Sequence, residues 1–195
     1  MMDSFQYLIR GEMVHRMSDE EFFNFCQDNR HLRFEKTSDG EIVIMAPTGG
    51  ETGRTNTNVI YELQHWNKQK QLGEAFDSST GFVLPNGATR SPDASWIKQA
   101  RWDALSADEK KKFPPLCPDF VIELLSESDP LKQAQEKMQE WMDNGCHLAW
   151  LLDPVRKQAF VYRPGKEAEA LPGFDQKLSG EGVLPGFVLG LGQLR

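Results

Sequence analysis

Apolar positions along this chain follow two periods, and their alternation predicts the elements. Over Thr52–Lys70, Val59, Ile60, Leu63 and Trp66 recur at helical spacing, which predicts a long helix with one core-facing stripe. Gly73 restarts the chain as extended structure. Phe76 and then Phe82-Val83-Leu84 read as strand, and Pro85-Asn86-Gly87 turns the chain back. A further strand begins at Asp93 in Ser91-Pro92-Asp93-Ala94-Ser95-Trp96-Ile97. The run Asp119-Phe120-Val121-Ile122-Glu123-Leu124-Leu125 is rich in strand formers and reads as a buried strand. Asp129 as N-cap and Pro130 at the first helical position open a helix to about Asn144, which Gly145 stops. Leu148–Leu152 is a buried strand, and Ala159–Tyr162 returns beside it after the Asp153-Pro154 turn.

Flanking segments add smaller units. Ser18-Asp19-Glu20-Glu21 is a capping box for a short helix carrying Phe22, Phe23, Phe25 and Cys26 and ending near Asn29. Arg33–Lys36 and Glu41–Met45 flank the turn Ser38-Asp39-Gly40 as a hairpin. Gly49-Gly50 lacks the Lys-Ser/Thr of a phosphate-binding loop and reads as a plain turn. A second capping box, Ser106 to Glu109, predicts a short helix within Trp102–Phe113, and the tail Glu167–Leu194 holds short strands punctuated by Gly and Pro. From Thr52 to Leu152 the order is helix, strand, strand, strand, helix, strand. This predicts an α/β (α+β) fold: a mixed β-sheet flanked by helices, with an added N-terminal helix–hairpin and C-terminal β extensions. No repeat or long linker interrupts residues 1–195, so one domain is expected.

Composition narrows the function classes. Hydrophobic residues at 39% and charged residues at 26% are ordinary for a globular protein. No apolar stretch approaches the roughly 20 residues that span a bilayer. The start, Met1-Met2-Asp3-Ser4-Phe5, lacks the regions of a signal peptide, so a cytoplasmic protein is expected. Cys26, Cys117 and Cys146 form no C-x-x-C pair and read as reduced thiols, and His15, His31, His65 and His147 have no zinc-site spacing. A net charge of -7 argues against a dedicated nucleic-acid binder, but less against an enzyme that carries its own cations to a nucleic acid.

The chemistry centres on two acids. Glu123 lies inside an apolar run, where a carboxylate is expensive to bury without a partner. Asp93 starts a neighbouring strand. Two carboxylates about 4 Å apart repel by roughly 4 kcal/mol at an effective dielectric of 20. A hard divalent cation removes that penalty, and oxygen ligands suit Mg²⁺ or Mn²⁺. Blander roles suit each residue singly. Glu123 suits a salt bridge to a buried Arg, such as Arg90 or Arg54; Asp93 after Pro92 suits a turn; Lys137 suits a helix surface beside Glu136.

Taken together, Pro92-Asp93 and the strand-borne Glu123 resemble the PD-(D/E)XK nuclease signature. The run Pro118-Asp119-Phe120-Val121-Ile122-Glu123-Leu124-Leu125-Ser126, and the stretch from Lys137 through Trp141 and Gly145 to Trp150-Leu151-Leu152-Asp153-Pro154, resemble the Uma family of endonucleases. The resemblance covers about Ala46 to Val188 and implies a restriction-endonuclease-like fold, metal-dependent hydrolysis of DNA, and Asp93 and Glu123 as metal ligands. The simple motif has a lysine two residues after the second acid, where this chain has Leu125. The family pattern puts the lysine on the following helix as Lys137, whose i+4 neighbour Trp141 shares its face; Lys132 is the rival. Glu51 or Glu62 is a candidate third carboxylate. Cutting both DNA strands needs two sites, so a homodimer is expected, with the exposed hairpins as the pairing elements.

Overall fold

The computed structural model describes residues 7–194; the opening stretch Met1–Phe5 lies outside the described residues. Among the described residues, thirteen strands and five α-helices follow in this order: β1 (Tyr7–Ile9), α1 (Glu12–His15), α2 (Asp19–Asp28), β2 (Arg33–Lys36), β3 (Ile42–Met45), α3 (Gly50–Lys70) and β4 (Gly73–Asp77). Then come β5 (Phe82–Val83), β6 (Thr89–Arg90), β7 (Ala94–Lys98), α4 (Gln99–Asp103), β8 (Phe120–Leu124), α5 (Leu131–Asp143) and β9 (Leu148–Asp153). The chain continues through β10 (Gln158–Tyr162), β11 (Glu169–Pro172), β12 (Lys177–Ser179) and β13 (Val188–Gly190).

The central sheet has six strands in the order β11-β10-β9-β8-β7-β4. Strand β8 sits inside it, antiparallel to β7 and parallel to β9. A parallel pair needs a crossover, and α5 supplies it. Every residue of β8 is buried. Because side chains alternate, Phe120, Ile122 and Leu124 join one core with Val59, Leu63 and Trp66 of α3. Val121 and Leu125 join the opposite core with Met138 and Trp141 of α5. Glu123 shares the parity of Val121 and Leu125 and therefore faces α5.

The mixed α+β class is the one the sequence predicts, and α3, the central-sheet strands β4, β7 and β8, α5 and β9 follow one another in the predicted order, with β5, β6 and α4 inserted between β4 and β8. Several details differ. Phe76 and Phe82-Val83 lie in two different sheets, because β5 pairs with β6 and not with the central sheet. The short helix predicted within Trp102–Phe113 is a single 3-10 turn at Glu109–Lys111, opened by the capping hydrogen bonds that Ser106 and Glu109 exchange, and α4 at Gln99–Asp103 precedes it. Helix α5 starts at Leu131 with Pro130 in the N-cap position; Asp129 instead closes a turn by accepting from the Ser126 N–H at 2.7 Å.

The N-terminal hairpin does not extend the central sheet; β10 and β11 do. The hairpin belongs to a second sheet, β1-β3-β2-β6-β5, joined where Lys36 pairs with Thr89. Its turn needs Gly40, whose φ of 81° is unfavourable for other residues and whose missing Cβ leaves room for the His15 backbone. Helix α2 starts with the complete Ser18–Glu21 capping box and packs Phe22 against Phe34 and Ile42. On β2, Phe34 faces that cluster, and Lys36 joins it by pairing with Asp19 at 2.8 Å over the Phe22 ring. Glu35, between them, must point the other way.

Candidate active site

Strand β7 ends its ladder where Ala94 pairs with Ile122, which sets Asp93 opposite Glu123 one step further on. There the Asp93 side chain replaces a backbone acceptor: the Leu124 N–H donates to Asp93 Oδ2 at 2.7 Å. From the facing helix, Lys137 reaches in, and its Nζ lies 2.9 Å from Glu123 Oε1. One turn later on α5, the Trp141 indole N–H donates to the same Glu123 oxygen at 2.9 Å. The i, i+4 spacing of Lys137 and Trp141 thus brings both donors to one carboxylate. Leu125, where the simple motif has its lysine, is buried in the core on the α5 side. Lys132 stays at the surface beside Glu136, with its side chain 88% exposed.

A fourth residue enters that sequence reasoning missed. Glu35 is 3% exposed, and its Oε1 lies 3.0 Å from Lys137 Nζ. Glu35 is thus a third carboxylate at the cluster, while Glu51 pairs with Arg54 at the exposed start of α3. Arg90, one of the arginines that suit Glu123 on sequence grounds, instead bridges Glu35 at 3.1 Å and Glu140 at 2.6 Å. The sequence signal for Glu35 is faint: one acid between Phe34 and Lys36 on a hairpin strand.

Burial pushes the Glu123 carboxyl up to about 7, with Asp93 and Glu35 adding to the push and Lys137 opposing it. Burial likewise raises Asp93, against the Leu124 N–H and the Lys137 charge. Glu35 goes the other way: burial would raise it, but Lys137, Arg90 and the Ser91 N–H together hold it below the usual carboxylate range. Burial alone would lower Lys137, yet Glu123 and Glu35 keep it above the ordinary lysine range. Lys137 is therefore an ammonium at neutral pH.

These directions fix a stability prediction. Between about pH 4.5 and 7, native Glu123 keeps a proton that the unfolded chain has released, so this group makes stability fall as pH rises through that window. Glu123→Gln cannot titrate. Each tenfold difference in proton affinity between the folded and unfolded chain is worth about 1.36 kcal/mol. Urea unfolding without divalent ions should therefore show the wild type losing on the order of 1–3 kcal/mol relative to Glu123→Gln across that window. A difference between the two proteins that stays flat with pH contradicts the assignment.

The donor set suits a hard cation. Four carboxylates (Glu35, Asp93, Glu123, Glu140) meet two cations (Arg90, Lys137), which leaves two negative charges in excess when all are ionised. Asp93 and Glu123 are the pair whose ionisation the fold penalises. Among the described residues, no three His, Cys, Asp or Glu side chains gather as a ready cage. Two carboxylates with the remaining positions left to water and substrate phosphate is a usual arrangement for Mg²⁺.

Residues 19–192 match the family model of Uma2, described as "Putative restriction endonuclease". The chain belongs to the Uma2 family. This Uma2 protein is similar in structure to a "putative nuclease belonging to DUF820" from Anabaena variabilis ATCC 29413, with a TM-score of 0.71 and 19% identity over 83% of this chain and 88% of that one. At that identity the likeness is one of fold. No curated protein matches. Among the described residues, no helix of the Uma2 chain is long and apolar enough to cross a membrane.

Proposed function

We propose that the chain is a metal-dependent endonuclease that hydrolyses DNA phosphodiester bonds at the Asp93–Glu123–Lys137 cluster. The observation that supports this most is the Lys137 ammonium bridging Glu123 and Glu35 beside Asp93, in a cluster short of two positive charges. Asp93 and Glu123 are the residues that would hold Mg²⁺ or Mn²⁺. When bound, such an ion polarises a phosphoryl oxygen and makes water in its shell more acidic.

The chain's own residues do the rest. Trp141 fixes the Glu123 carboxylate from behind through its indole N–H. Lys137 stays protonated, so its role is to stabilise charge growing on the phosphoryl oxygens, not to accept a proton. Its side chain keeps 20% of its surface open, which leaves the substrate a side of approach. The whole chain acts as one cytoplasmic nuclease unit, and two copies pair to cut both strands. Exposed Leu8 and Ile9 on the edge strand β1, with Met13 beside them in sequence, support that pairing.

The test is nicking of supercoiled plasmid by the purified protein with Mg²⁺ or Mn²⁺, with a chelator as control. Nicking that depends on the ion is expected. The rival reading is a nuclease-fold scaffold that does not cut, and the net charge of -7 and Leu125 favour it. Thermal unfolding separates the two. A metal-binding site adds about 2.7 kcal/mol at an ion concentration a hundred times its Kd. No rise in Tm at millimolar ion, together with no nicking, supports the scaffold.

A further inference from the structure

We propose that Glu35 is the positioning residue of this site: it fixes the Lys137 ammonium as a second anion alongside Glu123, which makes the N-terminal hairpin part of the active centre. The inference rests on the reading of Lys137 as the charge-stabilising group.

Both oxygens of Glu35 are engaged. Oε1 accepts from the Ser91 N–H at 3.0 Å and from Lys137 Nζ at 3.0 Å, and Oε2 pairs with Arg90 at 3.1 Å. A carboxylate so occupied has little left to offer a metal, which separates Glu35 from Asp93 and Glu123. It also stays ionised while those two are pushed toward protonation.

Two of its partners, Arg90 and Ser91, lie just ahead of Asp93 in the chain. Glu35 is thereby held to the same segment that delivers the first acid. Arg90 continues to Glu140 on α5 at 2.6 Å, one turn beyond Lys137, so Glu35 is tied to the helix twice.

A lysine needs such a tie. Its ammonium sits on a flexible four-carbon stem, and a single partner fixes only its distance from that partner. With Glu123 alone, Lys137 would rest on the acid that is to hold the ion. Glu35 at 3.0 Å and Glu123 at 2.9 Å give the amine two anionic partners, and the Ser91 carbonyl at 3.4 Å gives it a third contact. Glu35 touches neither substrate nor ion in this arrangement and acts through Lys137.

The test is a double-mutant cycle on plasmid nicking. Glu35→Gln keeps the shape of the side chain and removes its charge. It should lower kcat about 10- to 100-fold, the scale of losing a supporting contact, while KM for plasmid and the Mn²⁺-linked rise in Tm stay near wild type. In a Lys137→Ala background the same change should cost less than about twofold, because residues that act as a unit are non-additive. An undiminished loss in that background, or a Tm rise lost as completely as in Glu123→Gln, overturns the proposal. Should Glu35→Gln fail to fold, Glu35→Asp takes its place in the cycle. It keeps the charge with Arg90 but shortens the reach to Lys137, and the same criterion applies. A wild type that folds but never nicks overturns the nuclease reading and this inference with it. An active wild type with an additive cycle overturns this inference alone.

Discussion

Asp93→Asn and Glu123→Gln should each reduce plasmid nicking to background while leaving the fold intact. Each change removes one of the two ionisable groups that the fold makes costly to charge, and so removes the reason for a divalent ion to bind. Lewis-acid stabilisation of a phosphoryl transition state contributes several kcal/mol, and each 1.36 kcal/mol is about tenfold in rate. A loss of at least about a thousandfold follows. The same variants should lose the rise in Tm with Mn²⁺. Both substitutions preserve shape: the amide oxygen introduced by Asp93→Asn still accepts from the Leu124 N–H, and that of Glu123→Gln still accepts from the Trp141 indole. Nicking that persists in either purified variant sinks the assignment.

The second large effect concerns Lys137. Lys137→Ala should slow nicking about 10²–10³-fold, the range seen when one electrostatic donor is removed from a transition state. It should also destabilise the protein, because Glu35 and Glu123 lose a shared cation. Leaving a buried charge unpaired costs about 3–5 kcal/mol. The low end applies here, since Glu35 keeps Arg90 and Glu123 can retain its proton. Urea unfolding at about pH 7.5 measures that cost. Lys132→Ala is the control: its side chain is 88% exposed, so stability should change by less than about 0.5 kcal/mol and nicking by less than about twofold. If Lys132→Ala is the slower enzyme, the roles are reversed.

How much of this is legible in the sequence depends on distance along the chain. The buried strand at 119–125, the stripe on α3 and the parity of Glu123 are local patterns, and the structure has them. The choice of Lys137 on α5 comes from the family resemblance; the residues themselves show only that Leu125 is apolar and that Trp141 sets the helix face. The cap of α5 is not legible, because Asp129 satisfies the Ser126 N–H in its own turn, a competition that composition cannot decide. The split of Phe76 from Phe82-Val83 depends on which sheet a two-residue strand joins, and partner choice is not a local property. Glu35 is hidden for the same reason. Its contact with Lys137 spans 102 residues, and nothing in the local alternation around Phe34 says what lies beyond the hairpin's far face.

That long span has a consequence for the growing polypeptide. Glu35 leaves the ribosome first, then Asp93, Glu123 and Lys137. Domains are made N-terminus first, so a nascent chain that stops short of Lys137 carries Asp93 and Glu123 without the lysine, and Glu35 with Arg90 alone. One that stops before β9 carries α5 without the strand that completes its crossover beside β8. The same holds for a chain cut by a protease between the hairpin and α5 and then parted. One fragment inherits Glu35 without its lysine, and the other a lysine without Glu35. Half-made and half-degraded copies thus lack the assembled cluster of Glu35, Asp93, Glu123 and Lys137.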